Sequence, residues 1–415
     1  MEGVEAEIVI VGAGIAGLTT ALGLHRLGIQ SLVLESSDSL RVTGYAFTTW
    51  KNAWRALDEI GIGDSLRQHH FQLAGIVASS TVSGLPTSEM SFTAKASHGE
   101  QEVRCVRRKL LLEALQKELP IGTLRFSSKV VSIEEESGGC SKLVHLANGS
   151  VVKAKVLIGC DGVNSVVSKW LGFKKPAFVG RSSIRGFADF KGSHGFEPKL
   201  LLFVGNGVRC GFVPINEDTV YWFFTFIPST EDKDMEENPG RMKEFVLSNL
   251  GNVPDTIKAV VEITELDSIT CSPLRSGRPW ELLWRNISKG NVCVTGDAFH
   301  SMTPDIRQGG CSALEDGVIL ARCLEEALRK NPSVEAKEGD EKEEYKRIEM
   351  GLKKFARERK WRGIVLISTA YMVGFVQQSN GLVMNFVRDN KGLAAFLAGL
   401  LLKRADFDCG KLRIS

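Results

Sequence analysis

Three glycines near the start of the chain have the spacing of a phosphate-binding turn. Gly12, Gly14 and Gly17 follow an apolar run that predicts a buried β-strand, and helical spacing begins after them. Ile15 and Ala16 belong to the same predicted turn and helix start. The glycines permit a tight turn, close approach of backbone to a pyrophosphate, and close packing of helix on strand. Because the helix N-terminus also presents N–H groups to phosphates, the segment predicts a dinucleotide site.

An acidic residue at the end of the next predicted strand supports this interpretation. Residues 31–35 predict a second strand, and Glu35 is its last residue. A carboxylate there can accept hydrogen bonds from both ribose hydroxyls of a nucleotide. Strand, glycine turn, helix and acidic strand end together predict a βαβ unit. The glycines by themselves do not distinguish FAD from NAD.

Two later segments share one pattern, in which an apolar strand delivers an acidic residue to a loop. The first strand ends in Asp161-Gly162 and the second in Gly296-Asp297. A carboxylate in such a place suits a polyol hydroxyl. The second segment continues through Pro304 to Gly309-Gly310, where a further helix is predicted to begin. N–H groups at that helix start would stabilise the negative charge that a flavin ring gains on reduction.

At these three segments the chain resembles the FAD-dependent aromatic hydroxylases, also called group A flavoprotein monooxygenases. The motifs occur in the family's order and at its approximate spacing, from Glu7 to about Arg362. Within the family the chain is most similar to plant monooxygenases of the salicylate and 3-hydroxybenzoate hydroxylase-like group. Residues 44–61 and 302–316 carry this narrower match.

The resemblance implies a bound FAD and identifies the residues that would hold it. The glycine turn and Glu35 would hold the ADP half, Asp297 the ribityl chain, and Arg108 would contact the cofactor. The implied cofactor-binding residues are Gly12, Gly14, Ile15, Ala16, Gly17, Glu35, Arg108, Asp161, Gly162, Gly296, Asp297, Pro304, Gly309 and Gly310. Phe355, Arg359 and Arg362 resemble a structural helix that follows the core domain in the family.

The reaction implied by the resemblance is the hydroxylation of a small aromatic or similar electron-rich substrate. NADH or NADPH would bind transiently and reduce FAD, and O2 would then form a flavin C4a-hydroperoxide that hydroxylates the ring. No catalytic base is identified, and the candidate catalytic region is the flavin-side loop with Pro304, Arg307, Gly309 and Gly310. Two alternatives stay open: another flavin oxidation, such as epoxidation or oxidative decarboxylation, and a weakly active or non-catalytic flavin-binding protein.

Three polar residues carry open questions. Arg307 stands where relatives usually have a small residue, commonly glycine. Its guanidinium would crowd the flavin, place a cation beside the reduced ring or an anionic substrate, or point to solvent. Ser168 stands where many bacterial members have arginine. Arg209 is expected at the surface, with binding of a substrate carboxylate as the alternative.

The order of predicted elements indicates an α/β fold with an insertion. We expect a Rossmann-like FAD-binding domain of the glutathione-reductase type, an inserted and mainly antiparallel β-sheet subdomain for the substrate, and C-terminal helices. The predicted boundaries are residues 1–177 and 291–331 for the FAD-binding domain, 178–290 for the substrate subdomain, and 332–415 for the helical region.

Composition and charge favour a globular protein that acts on small molecules. The net charge is +3 and the basic residues are spread along the chain, which argues against nucleic-acid binding. Nine cysteines without a CxxC pair predict reduced thiols and no metal site. The apolar tracts near the C-terminus are shorter than the ~20 residues of a membrane-spanning helix. We expect a cytoplasmic monomer or weak homodimer, with a plastid or peripheral membrane location left open.

Overall fold

The computed structural model describes residues 4–40, 46–93, 100–136, 140–229, 235–329, 340–378 and 391–413. Its strands in chain order are β1 Val4–Val11, β2 Leu32–Leu34, β3 Ala46–Thr49, β4 Gly75–Ser80, β5 Pro86–Ser91, β6 Arg104–Arg107, β7 Leu124–Arg125, β8 Val130–Glu135, β9 Lys142–Leu146, β10 Val151–Gly159, β11 Ala177–Asp189, β12 Lys199–Gly205, β13 Val208–Pro214, β14 Thr219–Phe226, β15 Ile269–Ser276, β16 Ser288–Lys289 and β17 Val292–Val294. Its helices are α1 Ile15–Arg26, α2 Lys51–Glu59, α3 Gly63–Arg67, α4 Arg108–Lys117, α5 Val166–Trp170, α6 Pro239–Asn249, α7 Asp255–Ile263, α8 Glu281–Trp284, α9 Asp297–His300, α10 Gly309–Leu328, α11 Asp340–Gln378 and α12 Lys391–Ala405.

The first sheet brings the chemical motifs to one edge. Its strand order is β16-β17-β10-β1-β2-β7, and β17, β10, β1, β2 and β7 run parallel. Ile8, Ile10 and Ile158 are almost fully buried, as expected for central parallel strands that are covered on both faces. Parallel strands end at the same edge of a sheet, so Gly12, Glu35 and the two acidic loops converge there.

The second sheet has the order β15-β11-β14-β13-β12-β4-β5. It is antiparallel except where β12 pairs with β4. Two of its strands, β4 and β5, come from outside the predicted substrate subdomain of residues 178–290. The pairing of β12 with β4 joins segments more than a hundred residues apart, which alternation along either segment cannot reveal.

Helices α1, α2 and α11 pack around α10 and form the other side of the core. Close approach of α1 and α10 depends on Gly317, because a Cβ there would lie 2.6 Å from Cγ2 of Thr19. The predicted α/β class with an antiparallel sheet and C-terminal helices is confirmed. In the described ranges, no helix combines the length and apolar character needed to span a membrane. Residues 44 and 45 of the narrower match, and the predicted boundary at 331 and 332, lie outside the described residues.

Candidate active site

A cavity of about 440 Å3 lies at the carboxyl edge of the first sheet and is bounded on its far side by the second sheet. Most of the predicted site residues line it, namely Gly14, Ile15, Ala16, Arg108, Gly162, Gly296, Asp297, Pro304, Arg307, Gly309 and Gly310. The predicted residues outside its lining are Gly12, Gly17, Glu35 and Asp161. The first group is therefore available to a ligand in this cavity, whereas the second group shapes the loops that surround it.

The glycine turn leaves open space where a phosphate would bind. Gly12 has a φ of +100°, and a Cβ on it would lie 2.6 Å from the carbonyl oxygen of Cys160. A Cβ on Gly14, by contrast, would meet no atom within 4 Å. Glu35 is buried and accepts hydrogen bonds from the backbone N–H of Ala13 and of Ser37, both at 2.9 Å. Glu35 thus braces the turn from behind.

The first acidic loop is held in shape by its own carboxylate. One oxygen of Asp161 accepts a 2.5 Å hydrogen bond from Oγ of Ser165, and the other accepts one at 2.6 Å from the N–H of Val166. These contacts hold the start of α5. Ser168 is buried and donates a hydrogen bond to the carbonyl of Ala298. Its hydroxyl therefore ties α5 to the second acidic loop.

The second acidic loop presents a carboxylate to the cavity. Gly296 has a φ of +60°, its N–H donates to Asp316 at 2.9 Å, and a Cβ on it would lie 2.7 Å from Cβ of Ala16. Asp297 follows and opens onto the cavity. The surrounding protein raises the pKa of Asp297, while His300 and Arg108 act in the opposite direction. This carboxylate suits hydroxyl donors such as those of a ribityl chain.

The N-terminus of α10 points its backbone N–H groups at the same cavity. The helix is 20 residues long and has no acidic side chain in its first turn, so its positive dipole end is not neutralised locally. A Cβ on Gly310 would lie 2.7 Å from Cε2 of Phe47. Glycine here therefore keeps the helix N-terminus close to Phe47. The open glycine turn, the Asp297 carboxylate and this helix end fit the phosphates, polyol and ring of FAD.

The second sheet forms the opposite wall. Tyr221 and Phe223 of β14 line the cavity, whereas Trp222 and Phe224 point to the other face of the sheet and pack in a separate core. Alternation along β14 thus places one pair of aromatic residues in the cavity and the other pair in the core behind the sheet.

Arg209 does not lie at the surface, and that expectation is wrong. Its side chain is 2% exposed, lines the cavity and donates a 2.7 Å hydrogen bond to Asp305. Arg181 pairs with the other oxygen of Asp305 at 2.8 Å. Sequence reasoning did not identify Asp305 or Arg181, because their pairing joins a loop to two distant strands.

Arg307 also faces the cavity instead of solvent. Its backbone has φ 55° and ψ 32°, which is the left-handed region, and its side chain lines the cavity. Of the alternatives for this residue, solvent exposure is therefore excluded. The two remaining alternatives both place its guanidinium group inside the cavity, close to the start of α10.

A buried charged network supports the loop and the helix from behind. Asp316 accepts hydrogen bonds from Nε of Arg359 at 2.6 Å and from the His300 ring at 2.6 Å. Nη1 of Arg359 lies 2.7 Å from Glu315, which also pairs with Arg362 at 2.7 Å. Every side chain of this network except that of Arg362 is fully buried. The His300 ring thus has a structural contact. Arg359 and Arg362, the arginines that resemble the family's structural helix, anchor α11 to α10, whose start lines the cavity.

Comparisons with known proteins agree with this geometry. The profile of the FAD binding domain family matches residues 5–338. Monooxygenase 2 of Arabidopsis thaliana is 56% identical over 406 residues, covering 98% of both chains. Monooxygenase 1 of the same plant is 37% identical, covering 98% of this chain and 100% of its own. An FAD-dependent urate hydroxylase of Mycolicibacterium vanbaalenii is 29% identical over 76% of this chain and 78% of its own length.

Solved structures show the same fold. HpxO of Klebsiella pneumoniae, in complex with FAD and uric acid, matches with a TM-score of 0.80 and 21% identity over 96% of both chains. The tetrameric form of 2-methyl-3-hydroxypyridine-5-carboxylic acid oxygenase matches with a TM-score of 0.72 and 17% identity over 99% of this chain and 98% of its own.

The profile match and the two plant relatives define the class, and the chain belongs to the FAD binding domain family. It is an FAD-dependent monooxygenase. The resemblance to group A flavin hydroxylases, and to plant monooxygenases among them, is thereby confirmed.

Proposed function

We propose that this monooxygenase uses NADH or NADPH and O2 to hydroxylate a small aromatic or similarly electron-rich substrate. The observation that carries the proposal is a single cavity in which the FAD-fitting loops meet the aromatic face of the second sheet. Tyr221 and Phe223 offer ring faces against which a planar substrate can pack. Relatives named for the hydroxylation of urate and of an aminohydroxybenzoate support a compact ring as substrate.

The site residues have separate tasks in this proposal. Bound FAD supplies the transfer of electrons from a nicotinamide to O2 and the insertion of oxygen. Gly14 and the start of α1 bind the phosphates, Arg108 contacts the cofactor, and Asp297 accepts hydrogen bonds from the ribityl hydroxyls. N–H groups of Gly309 and Gly310 stabilise negative charge on the ring. We further propose that the first sheet holds FAD and that the second sheet encloses the substrate and excludes water.

A second cavity supports the use of a nicotinamide dinucleotide. It has a volume of about 420 Å3 and shares Gly162, Asp297 and Ser301 with the first cavity. Four cations line it, namely Lys169, Lys174, Lys175 and Arg278, against two carboxylates, Glu281 and the shared Asp297. A basic cleft next to the flavin-fitting loops suits the pyrophosphate of a nicotinamide that binds transiently.

The proposal predicts that the purified protein carries FAD and that NADH or NADPH reduces it. Under anaerobic conditions we expect the flavin absorbance to bleach, and to bleach faster when a suitable phenolic acid is present. Stopped-flow absorbance with each nicotinamide and a panel of phenols is the measurement, followed by identification of the product in air. Heat-denatured protein with free FAD is the control.

Other outcomes would select the alternatives. Reduction and oxygen use with an epoxide or a decarboxylated product would assign another flavin oxidation on the same fold. FAD that neither nicotinamide reduces, with the full panel present, would reject the monooxygenase proposal and leave a flavin-binding protein without turnover.

The basic cleft yields a separate prediction. Replacing Lys174 and Lys175 by alanine is expected to raise the KM of the nicotinamide about 10-fold, or ~1.4 kcal/mol, with little change in kcat, because contacts to the phosphates are equal in ground and transition states. Steady-state kinetics with NADH and with NADPH will test this. A rise with NADPH alone would assign the lysines to its extra phosphate.

The matched control removes the same net charge elsewhere, at the exposed Lys191 and Lys411. If this control raises KM as much as the cleft variant, or if the cleft variant leaves both KM values unchanged, the nicotinamide does not use the cleft.

A further inference from the structure

The wall of the main cavity carries an excess of positive charge. Its lining contains five arginines and one carboxylate, Asp297, among the residues that the structure describes; the arginines are Arg108, Arg185, Arg209, Arg275 and Arg307. Asp305 lies just behind the wall, but Arg181 and Arg209 already share it. A substrate that enters this cavity therefore meets a positive field.

Arg307 is an arginine of this wall for which no ion pair is found among the described residues. Its Nη2 atom is buried and has no hydrogen-bond partner within the described residues. Burial lowers the pKa of Arg307 to about 9, and nearby Arg209 contributes in the same direction while Asp305 acts against both. The group is therefore still charged at neutral pH. Burying the Nη2 group of a cation without a hydrogen-bond partner costs free energy, which an anion in contact with it would offset.

The backbone of Arg307 adds a second cost. Its φ of 55° lies in the left-handed region, where a residue other than glycine loses roughly 1–2 kcal/mol. Glycine at this position would remove both the backbone cost and the unpaired charge. The observed arginine combines two unfavourable local features, which points to a ligand that makes use of its guanidinium.

We propose that Arg307 binds the anionic group of the substrate and thereby makes the enzyme select aromatic anions over neutral aromatics. The inference rests on the proposed function and identifies the charge of its substrate. Arg209 is less suited to this task, because Asp305 lies 2.7 Å from its Nη1. Arg307 directly precedes Gln308 and the start of α10, so an anion on it would hold the ring beside the flavin-side loop. The aromatic wall with Tyr221 and Phe223 would complete the binding site.

The test compares binding of matched anionic and neutral ligands to the FAD-loaded enzyme. Benzoate and benzamide, and 3-hydroxybenzoate and 3-hydroxybenzamide, are titrated at pH 7 while the flavin absorbance spectrum is recorded. Arg307→Gly is expected to weaken binding of the anions about 10- to 100-fold, the range for a hydrogen bond to a charged group. The amides should change by no more than about two-fold, since they carry no charge for Arg307 to pair with.

Two further variants separate charge from backbone effects. Arg307→Lys keeps a positive charge but lacks the planar guanidinium that can donate two parallel hydrogen bonds. It should retain part of the preference for anions. Asn206→Gly relieves a left-handed backbone at an exposed position outside the cavity lining, and it should bind every ligand as the wild type does. FAD content and melting temperature are measured for each variant.

Several outcomes would overturn the inference. If Arg307→Gly weakens binding of the anions and of the amides equally, Arg307 only shapes the cavity and does not select for charge. Tighter binding of both would show that the side chain crowds the cavity. No spectral response to either anion at millimolar concentration would also reject it. These outcomes are distinct from failure of the proposed function, which is measured as NAD(P)H-dependent bleaching; anion selectivity without bleaching would reject turnover alone.

Discussion

Asp297→Ala is expected to lower the affinity for FAD at least about 100-fold, because a charge-assisted hydrogen bond contributes ~1.5–3 kcal/mol and this carboxylate can accept two. Asp297 opens onto the cavity at the start of α9, and Gly296 before it has a φ that favours glycine. The loop is therefore built to present this one side chain. Fluorescence titration of the apoprotein with FAD gives the dissociation constant directly.

The pH dependence of the same titration provides an independent readout. Desolvation by the protein around the cavity raises the pKa of Asp297, so protonation competes with FAD binding at a higher pH than for an aspartate in free solution. Hydroxyl donors favour the ionised form, so affinity should rise with pH through the raised pKa and then level off. Asp297→Asn should lose most of this dependence.

A control variant tests whether the loss is local. Asp267→Ala removes an exposed carboxylate that is outside the cavity lining and should bind FAD as the wild type does. If Asp297→Ala also binds FAD with unchanged affinity, the ribityl chain does not use this carboxylate and the proposed orientation of FAD is wrong.

Arg359→Met is expected to destabilise the protein by about 3–5 kcal/mol, the usual cost of removing one partner from a buried ion pair. Arg359 is fully buried and contacts both Glu315 and Asp316. Burial by itself would raise the pKa of both carboxyl groups, but Arg359 and the other neighbouring cations outweigh it and lower them. Denaturant unfolding at saturating FAD, with the same FAD concentration for each variant, measures the difference.

The effect of pH distinguishes a lost ion pair from a simple cavity. Carboxyl groups with lowered pKa values stabilise the folded state above their unfolded pKa values of about 3.9 and 4.3, and this contribution decreases as pH falls below them. The difference between wild type and Arg359→Met should therefore stay constant from pH 7 to about 5 and shrink as the pH is lowered further, below about 4. A difference that stays constant over this whole range would contradict the electrostatic explanation.

Arg357→Met is the matched control on the same helix. Arg357 is exposed and its Nε contacts only the carbonyl of Lys353 among the hydrogen bonds described. We expect a change of less than about 0.5 kcal/mol, as is usual for surface substitutions. A comparable loss in both variants would place the effect in helix stability instead of in the buried network.

The local elements were predictable from the sequence because their signals are local. The glycine turn, its flanking strands and the start of α10 all follow from apolar periodicity and glycine position within short windows. The helix predicted to begin at Gly309-Gly310 corresponds to Gly309–Leu328. The resemblance to the flavin hydroxylases added the order and spacing of three such segments, which no single segment could provide.

The arrangement of side chains around the cavity depended on contacts between distant segments. β4 joins the second sheet through β12, and the buried Arg209 pairs with Asp305, 96 residues later, at 2.7 Å. The orientation of Arg307 depends on a left-handed backbone that is unusual for arginine. Nothing in the windows around these residues carries that information.

The sequence by itself therefore determined the class of this protein and the backbone that receives FAD, since both follow from short motifs with strict steric requirements. The tertiary structure alone decided the charge and shape of the cavity next to the FAD-binding backbone. Burial and pairing are properties of the assembled core, because a charge is stabilised or left without a partner only by the groups that folding brings next to it.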